Sequence, residues 1–290
     1  MFRPHGGGGS LWIVIHAGAD LARRLAALQA AEGSLATLTG SMPAVLLAFD
    51  TSTEIMSVAL QWTGGRRAWD GPGGPLASSG LLPRIRALMD EAAVRWTDLS
   101  AIAFGRGPGA FTGLRTACAV AQGLSFGAGL PVLPVDSLLI VAEDARRQAG
   151  TDMRAGLEVA VAMDARMGQV YAARYRWDGA VWQTRVQPAL CDPADLDALW
   201  ALPGEPAMRP DLLAGTGIAL AAQAGGIGAW RAGVPLIPLA DSRAAALLHL
   251  ADEAWQAGRA VAPAQALPLY LRDKVALTTA ERAALNSGAR

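Results

Sequence analysis

The 290-residue chain balances 25 Lys+Arg against 25 Asp+Glu, and 52% of its residues are hydrophobic against only 17% charged. This length serves two modest domains or one large one, and the composition supports a well-buried core and excludes a disordered chain. The formal net charge of +0 excludes the chain-wide basic excess of a surface that grips nucleic acid by itself, and leaves only a local patch open.

Residues 1–41 differ from the rest. They hold the glycine run Gly6 to Gly9, a short apolar stretch Leu11 to Ile15 and a small amphipathic segment Asp20 to Ala31. The apolar stretch is too short for a signal peptide. Met42 directly precedes the first strong strand, so 1–41 is expected to be a disordered extension or a mis-assigned start. Ala44 to Phe49 is a continuous apolar run, as in a buried strand, followed by the polar turn Asp50-Thr51-Ser52-Thr53 and a returning strand, Ile55 to Trp62. Gly71 to Gly74 reads as a loop. Leu81, Leu82, Ile85, Leu88 and Met89 fall at helical spacing within 76–94. A short strand at Ala101 to Phe104 runs into a glycine-rich loop, then a helix over about 112–127. A strand at Pro131 to Val135 and a helix at Ser137 to Gln148 complete a first lobe, 42–150. A second lobe, 151–290, repeats the strand–turn–strand pattern: Leu157 to Met163, the turn Asp164 to Gly168, then Gln169 to Trp177. Leu212 to Gly217 is a strand ending in a glycine turn, and Ser242 caps a helix reaching Gly258. Strands mixed with helices in both halves predict an α/β protein of two similar lobes.

Several chemistries are excluded or narrowed by residue type. The single lysine, Lys274, rules out a P-loop and is the only candidate for Schiff-base chemistry. Cys118 and Cys191 form no CxxC pair and are expected to be reduced thiols. The three histidines, His5, His16 and His249, form no HxxxH pair. No apolar run approaches the roughly 18 residues of a membrane span.

Two motifs carry chemistry. In Leu46-Leu47-Ala48-Phe49-Asp50-Thr51-Ser52-Thr53 a carboxylate and hydroxyls end a buried strand. Two readings stand: a turn resembling the phosphate-facing hairpin of actin-like and sugar-kinase-like ATPases, where the Asp would hold a metal-bound water, or residues that only stabilise the turn. In Gly105-Arg106-Gly107-Pro108-Gly109-Ala110-Phe111-Thr112-Gly113-Leu114-Arg115, Gly107 and Gly109 permit unusual backbone angles and Thr112 is placed to cap the next helix. Helix-start N–H groups beside Arg115 would suit an anion, and a tight connection without a ligand is the alternative.

Taken in order, LLAFDTST at 46–53, AFGRGPGAFTGLR at 103–115, AQGLSFG at 121–127, LPVLPVDSL at 130–138, AMDARMGQVYAA at 162–173, AGTG at 214–217 and PLYLRDKVA at 268–276 resemble the TsaB (YeaZ-like) family, a paralogue of the TsaD proteins. The resemblance runs from about Met42 to Ala276. It implies an actin-like (ASKHA, ribonuclease H-like) fold of two similar lobes. It also implies a cytoplasmic, non-catalytic subunit of the complex that makes threonylcarbamoyladenosine in tRNAs reading ANN codons. The implied partners are the TsaD catalytic subunit and the TsaE ATPase, with a homodimer when the chain is alone. Contact with tRNA would come only through the complex, with no membrane. No cofactor is implied for the isolated chain, and ATP or ADP would sit at the partner interface.

The loop residues Asp50, Thr51, Ser52, Gly107, Gly109, Thr112, Gly113, Arg115, Asp164, Gly215 and Gly217 then become vestigial phosphate loops. Two helices become the docking face, with Leu82, Ile85, Met89, Ala117, Ala121 and Leu124 as its contacts and Gly123 letting a helix approach closely. The second hairpin, Asp164-Ala165-Arg166-Met167-Gly168, carries side chains that would crowd a phosphate, and Asp164 and Arg166 are expected to pair within the turn. An active actin-like ATPase or kinase, a glycoprotease-type metallopeptidase, and a homodimer serving another partner are the competing readings.

Overall fold

Leu46–Asp50 (β1) contains no polar side chain before Asp50 and is buried throughout, so it runs through the centre of a sheet. Ile55–Trp62 (β2) and Gly65–Pro72 (β3) follow it as an antiparallel meander. Ala101–Gly107 (β4) lies parallel to β1, and Val132–Asp136 (β5) parallel to β4. The sheet order is β3-β2-β1-β4-β5. Ala77–Glu91 (α1) and Phe111–Ala128 (α2) cover one face of this sheet. Ser137–Gln148 (α3) covers the other.

The computed structural model describes residues 43–150, 155–201, 209–228 and 232–272; the expectations for 1–41, His5, His16 and Lys274 lie outside the described residues.

The second half repeats the plan. Leu157–Asp164 (β6), Val170–Trp177 (β7) and Trp182–Cys191 (β8) form an antiparallel meander. The short Leu196–Trp200 (α4) leads on, Leu212–Ala214 (β9) adds parallel to β6, and after Ile218–Gln223 (α5) the strand Leu236–Ile237 (β10) adds parallel to β9. The order β8-β7-β6-β9-β10 reproduces β3-β2-β1-β4-β5 strand for strand. This duplication gives the two similar α/β lobes that the sequence pattern predicts, in the actin-like, ribonuclease H-like fold that the resemblance implies.

Between the sheets lie α3 and Arg243–Gln256 (α6). Ala142 and Leu247 belong to one core with Leu46 and Ala48 of the first sheet and Val159 and Val161 of the second. The predicted second lobe, 151–290, therefore does not stay with the second sheet. From α6 onward the described chain also serves the first sheet: α6 packs on β1 and β2, and Val261 exchanges both backbone hydrogen bonds with Val132 at 2.9 Å. A helix filling the gap between two sheets has an apolar surface for each, so a sequence boundary cannot assign it to one of them.

Ser242 caps α6, its hydroxyl accepting from the Ala245 N–H at 3.2 Å. Both cysteines are free thiols. The buried Cys118 donates to the Ala266 carbonyl at 2.8 Å. Partial burial, with Asp195 and Asp192 nearby, pushes the Cys191 thiol up to about 11, so it stays neutral at physiological pH.

Candidate functional site

The turn after β1 and the loop after β4 meet at the C-terminal ends of their strands, where α/β sheets place ligands. Asp50 is fully buried there and its carboxylate is already engaged. Arg243, the first residue of α6, donates to Oδ2 at 2.5 Å, and the Ser52 hydroxyl donates to the same oxygen at 2.9 Å. Oδ1 accepts the Ser52 N–H at 3.0 Å and lies 3.5 Å from the Ser137 hydroxyl. That hydroxyl in turn accepts the Gly107 N–H at 3.1 Å. A buried guanidinium thus stands on the carboxylate from which a metal-bound water would hang.

The glycine-rich loop closes on this turn. A Cβ on Gly105 would collide with the Asp50 carboxylate, one on Gly109 with Ser52, and one on Gly113 with the Thr51 carbonyl. The Thr51 hydroxyl donates to the Gly113 carbonyl at 2.7 Å, and the Ala110 N–H to the Ser52 carbonyl at 2.8 Å. Gly107 has the positive φ, +111°, that its position requires; Gly109 is needed for close approach. The glycines bring backbone against backbone, and the residues as placed do not fit a metal-bound nucleotide phosphate.

Two expectations for this loop are corrected. Thr112 does not cap α2: the helix begins one residue earlier, with Ala110 as N-cap and no side-chain cap, because the Ala110 hydrogen bond to the first turn fixes the chain's entry. Arg115 does not face an anion site. Its guanidinium lies 3.9 Å from the Phe111 ring centroid, and its Nε donates to the Tyr270 hydroxyl at 3.3 Å.

The second hairpin faces the first across a cleft of about 610 Å³. Arg166 and Met167 both adopt positive φ there. Asp164 pairs with Arg166 through the Arg166 backbone N–H, which donates to Oδ1 at 2.7 Å. The Arg166 guanidinium also lies 4.0 Å from the Asp164 carboxylate and reaches Glu54 of the first hairpin at 3.1 Å. Gly215 and Gly217 let the turn after β9 pack on the backbone of Ala162 and Met163. Along the cleft lies the segment Leu267 to Arg272, whose Leu269 N–H donates to the Arg106 carbonyl at 2.7 Å and whose Arg272 donates to the Ala165 and Arg166 carbonyls. The half-buried His249 belongs to none of this; its Nε2 is 3.8 Å from Glu143.

The predicted docking residues divide sharply. Ile85, Met89, Ala117 and Ala121 lie in the chain's own core against the first sheet, and Leu124 packs partly on it. Leu82, 48% exposed, and Gly123 face outward in full. The wide apolar arc of α1 is consumed by the sheet, which takes Leu81, Ile85, Leu88 and Met89 together. A charge at Ile85 would therefore unfold the chain rather than separate it from a partner. The milder Ile85→Ala is expected to destabilise it by about 2–4 kcal/mol, read from the urea midpoint, with partner affinity of the folded protein unchanged.

The outward face of α2 is instead Ala119, Gly123, Phe126 and Gly127, all exposed and at helical spacing, with Phe126 65% exposed. A Cβ at Gly123 or Gly127 would meet nothing within 4 Å. Nothing described in the monomer requires these two glycines, although each weakens a helix by about 1 kcal/mol relative to alanine.

Comparison with known proteins agrees with this architecture. Residues 77–211 match the family described as TsaD, tRNA N6-adenosine threonylcarbamoyltransferase. The chain is 34% identical over 240 residues to the tRNA threonylcarbamoyladenosine biosynthesis protein TsaB of Escherichia coli K12, covering 80% of this chain and 96% of that one. It is 40% identical over 126 residues to the Haemophilus influenzae protein of the same name, covering 43% and 51%. Among solved structures, YeaZ from Pseudomonas aeruginosa superposes with a TM-score of 0.67 at 38% identity, covering 79% of this chain and all of that one.

Proposed function

The chain belongs to the TsaB (YeaZ-like) family of tRNA threonylcarbamoyladenosine biosynthesis proteins, and on that premise we propose that it is a non-catalytic docking subunit of the adenosine threonylcarbamoyltransferase complex. It binds the TsaD catalytic subunit, which carries out the transfer, and the TsaE ATPase joins that assembly. Alone, it pairs with a second copy of itself. It meets tRNA only through the complex, in the cytoplasm, and nucleotide binds at the partner interface rather than in this chain.

The observation that carries the docking role is the outward glycine face of α2. Two glycines in mid-helix with open space over them are a standing loss of helix stability. A second helix laid closely against that face would offset it. Exposed Phe126 on the same face and Leu82 on α1 supply apolar area for the contact. The absence of catalysis rests on Asp50, whose carboxylate is held by Arg243 and Ser52. A metal-assisted phosphoryl step would need that carboxylate free.

The role is tested by reconstitution with TsaD, TsaE, threonylcarbamoyl-adenylate and tRNA. The chain alone should give no modified adenosine, and TsaD should need the chain for turnover. Equal turnover by TsaD with and without the chain would refute the role. The ATPase reading makes the opposite prediction for the isolated chain: saturable ATP binding that Asp50→Ala removes.

A further inference from the structure

The tip of the second hairpin is held in a conformation that its own residues do not favour. Arg166 and Met167 have φ of +64° and +56°, and Gly168 follows at +74°. Among the described residues, Ala93 is the one other non-glycine with positive φ. Left-handed backbone crowds a Cβ against the following carbonyl, and such strain persists where neighbouring groups fix it. Packing does not fix this turn: Arg166 and Met167 are exposed, and a Cβ on Gly168 would meet nothing within 4 Å. Glu54 adds little, because both members of its pair with Arg166 stand in solvent. Arg272 acts directly on the backbone. Its guanidinium donates to the Ala165 and Arg166 carbonyls at 3.1 and 3.3 Å, which fixes the peptide groups on either side of Arg166.

Arg272 reaches the tip from a segment rooted on α2. Residues 266–272 have no regular secondary structure. At one end Ala266 is fully buried, and its carbonyl accepts from two side chains of α2, the Cys118 thiol at 2.8 Å and the Gln122 amide at 3.0 Å. Further on, the Leu269 N–H binds the Arg106 carbonyl of the glycine-rich loop. The Tyr270 ring lies 5.1 Å from that of Phe111, the first residue of α2, and its hydroxyl accepts from Arg115 of the same helix. Leu267 and Tyr270 are exposed, so beyond Ala266 the segment lies over the surface and can shift without opening the core. It thus runs from a helix on the first sheet to a hairpin of the second, and its end holds the strained turn.

We infer that residues 266–272 form a conformational strap through which α2 sets the tip of the second hairpin, with Arg272 as the latch. Latched, the two carbonyls stay clamped and the turn stays left-handed. Unlatched, they turn to water, and Arg166 and Met167 relax toward backbone angles that their side chains favour. The strap acts in the isolated chain, whether or not a partner sits on α2. The experiment is amide hydrogen exchange of the full chain alone, read at Ala165 and Gln169, whose N–H groups close the turn. Arg272→Ala should speed exchange there by about tenfold or more. Tyr270→Ala loosens the strap at α2 and leaves Arg272 in place, and it should speed exchange at the same two amides. Glu54→Gln should change it by less than about twofold. Exchange within β6 and β7 and the thermal midpoints should stay near wild type, since neither strap side chain is buried. Unchanged exchange in Arg272→Ala would overturn the latch, and unchanged exchange in Tyr270→Ala would overturn the link to α2. A rise in Glu54→Gln as large as in Arg272→Ala would assign the tip to the pair between hairpins and overturn the strap.

Discussion

Arg243→Ala is expected to lower the stability of the isolated chain by about 3–5 kcal/mol, because it leaves the Asp50 carboxylate buried without its cation. The two residues are 193 positions apart in sequence and both are almost fully buried, so solvent cannot replace the lost partner. The measurement is the urea midpoint of the single and double variants. If the pair is the unit, adding Asp50→Ala to Arg243→Ala should recover a large part of the loss, since no uncompensated charge then remains. A loss under about 1 kcal/mol for Arg243→Ala would mean that the pair is solvated and that Asp50 is not locked.

This lock shows where the sequence stopped being legible. The central strands were legible because long apolar runs ending in Asp50 and Asp164 have few other uses in a fold. Helix α3 and the Ser242 cap were legible from spacing and cap chemistry. The edge strands β3 and β8 were not. Gly65–Pro72 contains two arginines, an aspartate and two end glycine or proline residues, and Trp182–Cys191 carries Pro188 and a mostly half-exposed surface. Such strands exist because a neighbour offers hydrogen bonds, and their side chains record little of it. Asp50 and Thr51 were legible as a candidate site; their partner Arg243 was not, since one arginine at a helix start carries no mark of a carboxylate far away in the chain. The two helices proposed for docking were legible as helices, but most of their outward-facing residues were not. Hydrophobicity singled out Ile85 and Ala117, which the sheet buries; of the outward glycines, Gly123 was legible as a place for close helix approach, whereas Gly127 gave no apolar signal.

Gly123→Gln is expected to raise the stability of the isolated chain by about 0.5–1 kcal/mol, through helix propensity alone. The same substitution should weaken pairing with TsaD about 100-fold, or roughly 2–3 kcal/mol, because a long side chain would stand between two close helices. Opposite signs for fold and association distinguish a docking face from a merely tolerant surface. Phe126→Asp should also weaken pairing, by placing a charge in the apolar contact, with little change in the monomer's stability since the side chain is already exposed. If both variants pair as tightly as wild type, α2 does not form the contact and another outward surface must.

The most direct test of the docking role is light scattering coupled to size exclusion, with the chain alone, mixed with TsaD of the same organism, and mixed as the Gly123→Gln variant. The account predicts a one-to-one complex for the wild type, and for the variant separate elution of two folded proteins. Independent elution of wild-type chain and TsaD, with nucleotide and TsaE present, would contradict it.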